Sequence, residues 1–154
     1  MGMRFIVTNE LGKLAKRLRI LGFDTIEYEN AKTPELIIKA LADDRIIVTR
    51  SKSVGEKLPK GTIVLASTDI DEQVRVLCEK LNLKIAKEKM FTRCTLCNEE
   101  LINVPKDKIE KLVPPRVYEA QEIFKKCPRC GKIYWQGSHL ESINNLIDKI
   151  QRGK

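Results

Sequence analysis

The sequence predicts an α/β fold, a parallel four-stranded sheet with flanking helices, followed by a small four-cysteine ribbon and a terminal helix. Three observations carry this. Residues 3–83 alternate short β-branched apolar runs with stretches of helical periodicity, the rhythm of a parallel sheet covered by helices. Two Cys-x-x-Cys pairs, Cys94/Cys97 and Cys127/Cys130, follow within one short segment. The last residues then carry a single apolar stripe at helical spacing.

The four predicted strands are Arg4-Phe5-Ile6-Val7, Thr25-Ile26-Glu27-Tyr28, Arg45-Ile46-Ile47-Val48-Thr49 and Thr62-Ile63-Val64-Leu65-Ala66, each followed by polar or turn residues. Between the first two, Leu11, Leu14, Leu18 and Leu21 recur at steps of three and four, which makes one buried helical stripe that Gly22 ends. A second helix starts at Thr33-Pro34, a capping hydroxyl followed by a first-turn proline, and runs through Leu36, Ile37, Ala40 and Leu41. Ser53 and Glu56 form a capping pair for a short helical segment. A longer helix opens at Asp69, with Glu72 completing a capping box, and places Val74, Leu77, Cys78 and Leu81 at core spacing.

The charged run from Lys84 to Met90, with Ile85 and Ala86 as its apolar residues ahead of Met90, reads as a linker or an exposed edge strand before the first cysteine pair. The boundary falls near Lys89, giving an α/β domain over residues 1–89 and a ribbon with a C-terminal helix over 90–154. The terminal helix begins with Ser138 and Glu141 as a capping box and aligns Leu140, Ile143, Ile147 and Ile150, a stripe that must bury against the α/β part or a partner.

A chain of 154 residues that is 42% hydrophobic can bury a real core. No run approaches the roughly 20 consecutive apolar residues of a membrane span, and the start MGMRFIVTNELGK lacks a secretory signal, so the expected location is cytoplasmic. The net charge of +8 favours an anionic partner such as nucleic acid, although in a chain that is 32% charged much of it belongs to solvated helix faces.

A Cys-x-x-Cys turn aims two thiolates at one ion about 2.3 Å away, and two such turns complete a tetrahedron, so Cys94, Cys97, Cys127 and Cys130 read as a structural zinc site. Two disulfides suit a cytosolic chain badly, and a redox pair needs no second copy. With four thiolates bound, no position stays open for water, and the metal is not catalytic. Cys78 reads as a small buried hydrophobe, and His139, the single histidine, is surplus to a four-cysteine site.

The segments MRFIVTNELGKLAKRLRILGFDT, IIVTRSKSV, CTLCNEEL, VPPRVYE and CPRCGKIYWQGSHLE together resemble the PIN-like ribonuclease family called the Mut-seven C-terminal RNase domain, an α/β nuclease fold joined to a zinc ribbon. The resemblance covers nearly the whole chain. It implies carboxylates at the C-terminal ends of the parallel strands, holding divalent ions that activate water. The family pattern places an Asp where Thr8 stands and another where Ser51 stands. Hydroxyls bring no charge to a hard cation, so magnesium or manganese affinity falls at such a degenerate site. The acids left nearby are Glu10, Asp24, Glu35, Asp69 and Asp71, of which Asp69 and Asp71 match the family's acids after strand four and are the catalytic candidates. Against that, Asp69 also reads as a helix cap, Asp71 as a dipole partner, Asp24 as a turn residue and Ser51 as a cap.

Candidate RNA contacts are Lys13, Lys16, Arg17 and Arg19 on the first helix, Arg50 and Lys52 at a strand end, and Arg116, Arg129, Lys132 and Trp135 in the ribbon. Lys125 and Lys126 lie beside Tyr134 and Trp135, and adjacent strand positions make one of those two aromatics structural. Three functions compete. The first is an RNA-binding protein, acting on ribosomal or transfer RNA, that keeps a nuclease fold with impaired chemistry. The second is an active metal-dependent ribonuclease using Asp69 and Asp71. The third is a protein-interaction adaptor built on the ribbon and the terminal helix.

Overall fold

The computed structural model of the chain describes residues 2–29, 32–137 and 139–152. β1 (Arg4–Thr8) runs between β2 (Asp24–Tyr28) and β3 (Ile46–Thr49), and β4 (Thr62–Val64) completes a parallel sheet of order β2-β1-β3-β4. Successive side chains of a strand point to opposite faces, so Phe5, Val7 and Val48 enter one apolar cluster while Ile6 and Ile47 enter another. α1 (Gly12–Ile20) and α4 (Ile70–Leu81) cover the first face, and α2 (Thr33–Ala42) and α3 (Lys52–Lys57) cover the second. Leu11, Leu14, Leu18 and Leu21 are all buried, as the stripe requires, and each fully buried leucine is worth about 1.5–3 kcal/mol of removed apolar surface.

α1 stops where expected. Gly22 takes φ +97, its N–H bonds to the Arg19 carbonyl, and the Phe23 N–H reaches back to the Leu18 carbonyl, the paired bonds of a Schellman motif. Other ends differ from expectation. Lys32, not Thr33, stands at the N-cap of α2, and Leu41 is 64% exposed because α2 turns Leu36 and Ala40 to the sheet instead. α3 starts at Lys52 with Ser51 in the cap position, so Ser53 and Glu56 frame no helix start, and the Ser51 hydroxyl makes no cap bond. β4 ends at Val64, shorter than the apolar run.

The run after α4 is exposed at Lys84 and at Lys87–Lys89 and is anchored at both of its ends. Asn82 closes the helix in the left-handed region, Leu83 and Met90 are buried in the first core, and Lys87–Lys89 form a 3-10 turn whose exit residue Phe91 donates its N–H to the Ile20 carbonyl. Beyond it lies an antiparallel sheet of β5 (Ile102–Val104), β6 (Phe124–Lys126) and β7 (Ile133–Tyr134), with α5 (Pro115–Ala120) between β5 and β6. Ile109, Val113 and Phe124 form its small core, with Tyr118 and Trp135 packed against it.

α6 (His139–Arg152) returns to the α/β part, where Ile143, Leu146, Ile147 and Ile150 join the first core beside α4. The predicted stripe therefore docks in cis, widened by Leu146. The expected Ser138 cap lies outside the described residues, as does the side chain of His139. Among the described residues no helix is long and apolar enough to cross a membrane.

Candidate functional site

The chain leaves β1 toward β2 on one side and returns to β3 and β4 on the other, so the crevice where α/β sheets bind ligands opens between the C-terminal ends of β1 and β3. The register pairs Val7 with Val48, which brings Thr8 and Thr49 together at that edge. Thr8 Oγ1 donates to Glu10 Oε1 at 2.6 Å and stands 3.0 Å from Thr49 Oγ1. The Arg50 N–H reaches the same Glu10 oxygen at 3.3 Å, the Ser51 N–H donates to Thr49 Oγ1 at 3.1 Å, and Ser51 Oγ lies 2.9 Å from Ser53 Oγ. Partial burial acts to raise the Glu10 carboxyl, but the Thr8 hydroxyl and the surrounding amides and hydroxyls outweigh it and hold Glu10 below its ordinary value. The switch point is thus a cluster of hydroxyls gathered around one ionised carboxylate.

The catalytic candidates are otherwise engaged. Asp69 is the N-cap of α4, accepting the Glu72 N–H at 2.9 Å. The capping box is only half made, because the Asp69 N–H goes to Ser67 Oγ at 3.0 Å and the Glu72 carboxylate pairs with Arg75. Asp71 is ion-paired with Arg17 at 3.0 Å. Glu35 lies 3.4 Å from the Tyr28 hydroxyl. Among the described residues, the four cysteines form the single group of three or more Cys, His, Asp or Glu side chains close enough to hold a metal ion. Glu10 is the carboxylate that these hydrogen bonds place at the ends of β1 and β3, a sparse protein donor set for magnesium or manganese, which are commonly held by one or two carboxylates together with waters and substrate phosphates.

Of the predicted RNA contacts, Lys13 and Lys16 are exposed on α1, Arg50 and Lys52 are exposed at the end of β3, and Arg116, Arg129 and Lys132 are exposed on the ribbon. Lys132 Nζ lies over the Tyr134 ring, 5.1 Å from its centroid. Arg17 is half-buried and committed to Asp71. Arg19 corrects the sequence reading: it is 5% exposed, donating to the Thr25 carbonyl at 2.9 Å and the Thr95 carbonyl at 2.6 Å, and paired with Glu27. A guanidinium that satisfies two buried carbonyls is part of the interior and reaches no phosphate. Both ribbon aromatics make contacts within the ribbon. Trp135 packs edge-on to Phe124 with centroids 6.4 Å apart, and the Tyr134 hydroxyl lies 3.0 Å from Cys94 Sγ and accepts the Thr95 N–H at 3.1 Å.

The sulfurs of Cys94, Cys97, Cys127 and Cys130 all lie within 4.8 Å of one another, and Cys94 Sγ is 3.7 Å from Cys130 Sγ. A tetrahedron with metal–sulfur bonds of about 2.3 Å has an edge near 3.8 Å, so the donor set fits a zinc ribbon. Backbone amides brace it: the Cys97 N–H points to Cys94 Sγ and the Cys130 N–H to Cys127 Sγ, each at 3.4 Å, while Gly131 at φ +80 turns the chain away. Burial raises the Cys94 thiol, but the Tyr134 hydroxyl and the Cys97 and Leu96 amides outweigh it and bring it to about 7. Cys97 is pushed up to about 12 by burial and by the sulfurs around it, a penalty that a bound cation reverses.

The sequence reading missed the joint between the two parts. Asn98, at φ +66 just past the first cysteine pair, donates to Asp24 Oδ1 at 2.7 Å and accepts the Thr25 N–H at 3.0 Å. Asp24 also takes Arg45 Nη1 at 2.8 Å. Burial acts to raise Asp24, yet the bonds from Arg45 and Asn98 pull it down to about 2. Asp24 is therefore a strand residue at a polar joint and not a turn residue. An Asn directly after Cys-x-x-Cys was the one visible signal, and its partner across the chain was not.

Comparison with known proteins is brief. No curated protein matches the chain. The sequence model of the Mut7-C RNAse domain matches residues 3–147, nearly the whole length, and the chain belongs to the Mut7-C RNAse domain family.

Proposed function

We propose that this chain binds RNA on a ribonuclease scaffold whose metal-dependent chemistry is lost or severely weakened. Membership of an RNase-domain family supports an RNA-related role. The observation that carries the reading is the switch point itself, where the Thr8 and Thr49 hydroxyls bond to Glu10, Ser51 stands in the same turn, and among the described residues Glu10 belongs to no group of three or more side chains close enough to hold a metal ion. Phosphodiester hydrolysis by divalent ions draws its nucleophile and its charge neutralisation from carboxylate-held metal, and this donor set supplies neither.

Binding is supported by the net charge of +8 and by exposed Lys13, Lys16, Arg50 and Lys52, which topology places at the same end of the sheet as the hydroxyl cluster. Arg116, Arg129 and Lys132 extend this charge onto the ribbon. Folded RNAs such as ribosomal or transfer RNA are the targets in view. Zinc, in this reading, holds the ribbon in shape and takes no part in chemistry.

The test is end-labelled structured and single-stranded RNA incubated with zinc-loaded protein in manganese, beside Asp69→Asn. Tight binding that weakens with salt, without manganese-dependent cutting, is the expected result. Cutting in manganese that Asp69→Asn abolishes establishes an active nuclease instead. No affinity for any RNA at about 50–100 mM salt removes the RNA reading altogether and leaves the adaptor function.

A further inference from the structure

A groove of about 1060 Å³ lies at the opposite edge of the sheet from the hydroxyl cluster, between the strand starts and the ribbon. It is bounded by Arg4 and Asp24 at the starts of β1 and β2, by the run from Asn82 to Lys89, and by Arg93 and Lys125 of the ribbon. Four strand steps of about 3.3 Å separate Arg4 from Thr8, so the groove begins roughly 13 Å from the switch point. Its charge is not balanced. Arg4 is spent on Asp24 and the Asp43 carbonyl, and Arg93 on Glu100 and the Asn98 carbonyl. Lys84, Lys89 and Lys125 make no ion pair with any described residue, and Glu88 is the one wall acid left without a cation.

Arg93, Leu101 and Lys125 line this groove and also a second, smaller cavity, so the two are neighbours. The smaller one, of about 50 Å³, is walled by Phe91, Tyr134, Trp135 and Ile123. A cavity of that size cannot enclose a nucleobase; open on one side, it offers aromatic and aliphatic walls against which a base can stack. Ile123 is 72% exposed, a large apolar side chain held at the mouth. Unpaired lysines along a groove that ends on aromatic rings are the two parts of a single-strand nucleic-acid site, one tracking phosphates and the other taking bases.

We infer that this groove and its aromatic end bind single-stranded RNA, with Lys84, Lys89 and Lys125 on the phosphates and a base against Trp135 and Phe91. The inference rests on the RNA-binding reading above but locates a site away from the strand ends. The sequence supports the choice of ligand over an acidic protein, because a peptide's carboxylates use the lysines and leave the aromatic end without a partner.

Trp135 is the only tryptophan, so its emission reports on the site directly. Zinc-loaded full-length protein is titrated with a short oligouridylate while tryptophan emission and binding are read together. Quenching that tracks binding is expected, with a slope of log affinity against log salt near −2, about 0.7 for each of three lysine–phosphate contacts. Lys84→Glu/Lys89→Glu should weaken binding about tenfold or more and flatten that slope by roughly 1.4. Retained zinc and unchanged far-ultraviolet circular dichroism keep this loss from being read as misfolding, since both lysines are exposed. Binding that leaves Trp135 emission unmoved and falls only in Lys13→Glu/Lys16→Glu overturns this site while the RNA reading stands. Equal affinity for polyglutamate of matched charge also overturns it, and no binding of any RNA overturns both.

Discussion

Asn98 and Asp24, separated by most of the α/β part in sequence, meet at 2.7 Å, and the same Asn98 side chain accepts the Thr25 N–H. β2 is the edge of the parallel sheet, and an open edge leaves backbone donors and acceptors unpaired. Here the turn that carries two zinc-ligand cysteines supplies those partners, with Arg19 bridging the Thr25 and Thr95 carbonyls beside it. The ribbon is the cover of the sheet edge.

Removing the metal should therefore reach the sheet. Chelation is expected to lower the unfolding midpoint of the whole chain and to raise hydrogen exchange at Thr25 as well as at the cysteine turns. Asn98→Ala, with zinc retained, should cost about 1–3 kcal/mol by leaving buried polar groups unpaired, read by urea unfolding.

The Asp24 carboxyl, held near 2 against an ordinary 3.8, stabilises the fold above its unfolded value, and that contribution is lost as pH falls from about 4 toward 2. Asp24→Asn removes the nearer countercharge of Arg45, which is 7% exposed at its side chain and keeps only the 3.7 Å contact to Asp43. The expected cost near neutral pH is about 2 kcal/mol, below the roughly 3–5 of a fully buried pair because Asp24 keeps some solvent contact. Parallel unfolding of both proteins should show the gap closing once pH drops below about 4.

Tyr134→Phe removes the hydroxyl 3.0 Å from Cys94 Sγ. Partners of this kind tune metal ligands, typically by 10–100-fold in affinity. Faster zinc transfer to a chromogenic chelator, with a shifted thiolate-to-metal band in the cobalt-substituted protein, is the expected outcome. An unshifted band would make the contact one of packing alone.

Thr8→Asp with Ser51→Asp adds two carboxylates at the strand ends that carry Glu10. Manganese binding, followed by calorimetry or electron spin resonance, should appear in the double variant and be absent from the parent chain. Cleavage of RNA need not follow for the metal prediction to hold.

Gly22→Ala tests the joint from the other side. The position has φ +97, and a Cβ there would strike the Lys89 carbonyl. Loss of about 2 kcal/mol or more is expected, since backbone strain and a clash with main chain add. The change should loosen the Lys87–Lys89 turn that walls the groove.

Periodicity made the α/β part legible: the leucine stripe of α1, the αL glycine after it and the cap at Asp69 all stand where local chemistry puts them. The cysteine spacing likewise reported its own geometry, because ligands three positions apart need only a turn to converge. Arg19 was misread for a physical reason. A cation on a helix looks like a solvated face unless the carbonyls that will bury it, Thr25 and Thr95, are known to be near. The pairing of Asp71 with Arg17, which lies on another helix, is a contact that local sequence does not show.

By itself the sequence determined the sheet, its helices, the four-cysteine site and the absence of acids at Thr8 and Ser51, since each depends on residues close along the chain or on identity alone. Tertiary structure decided the rest: that α6 docks in cis, that the ribbon seals β2 through Asn98 and Asp24, and that Lys84, Lys89 and Lys125 share one groove with Trp135 nearby. Those pairings join residues far apart in the chain, and periodicity carries no record of which distant faces will meet.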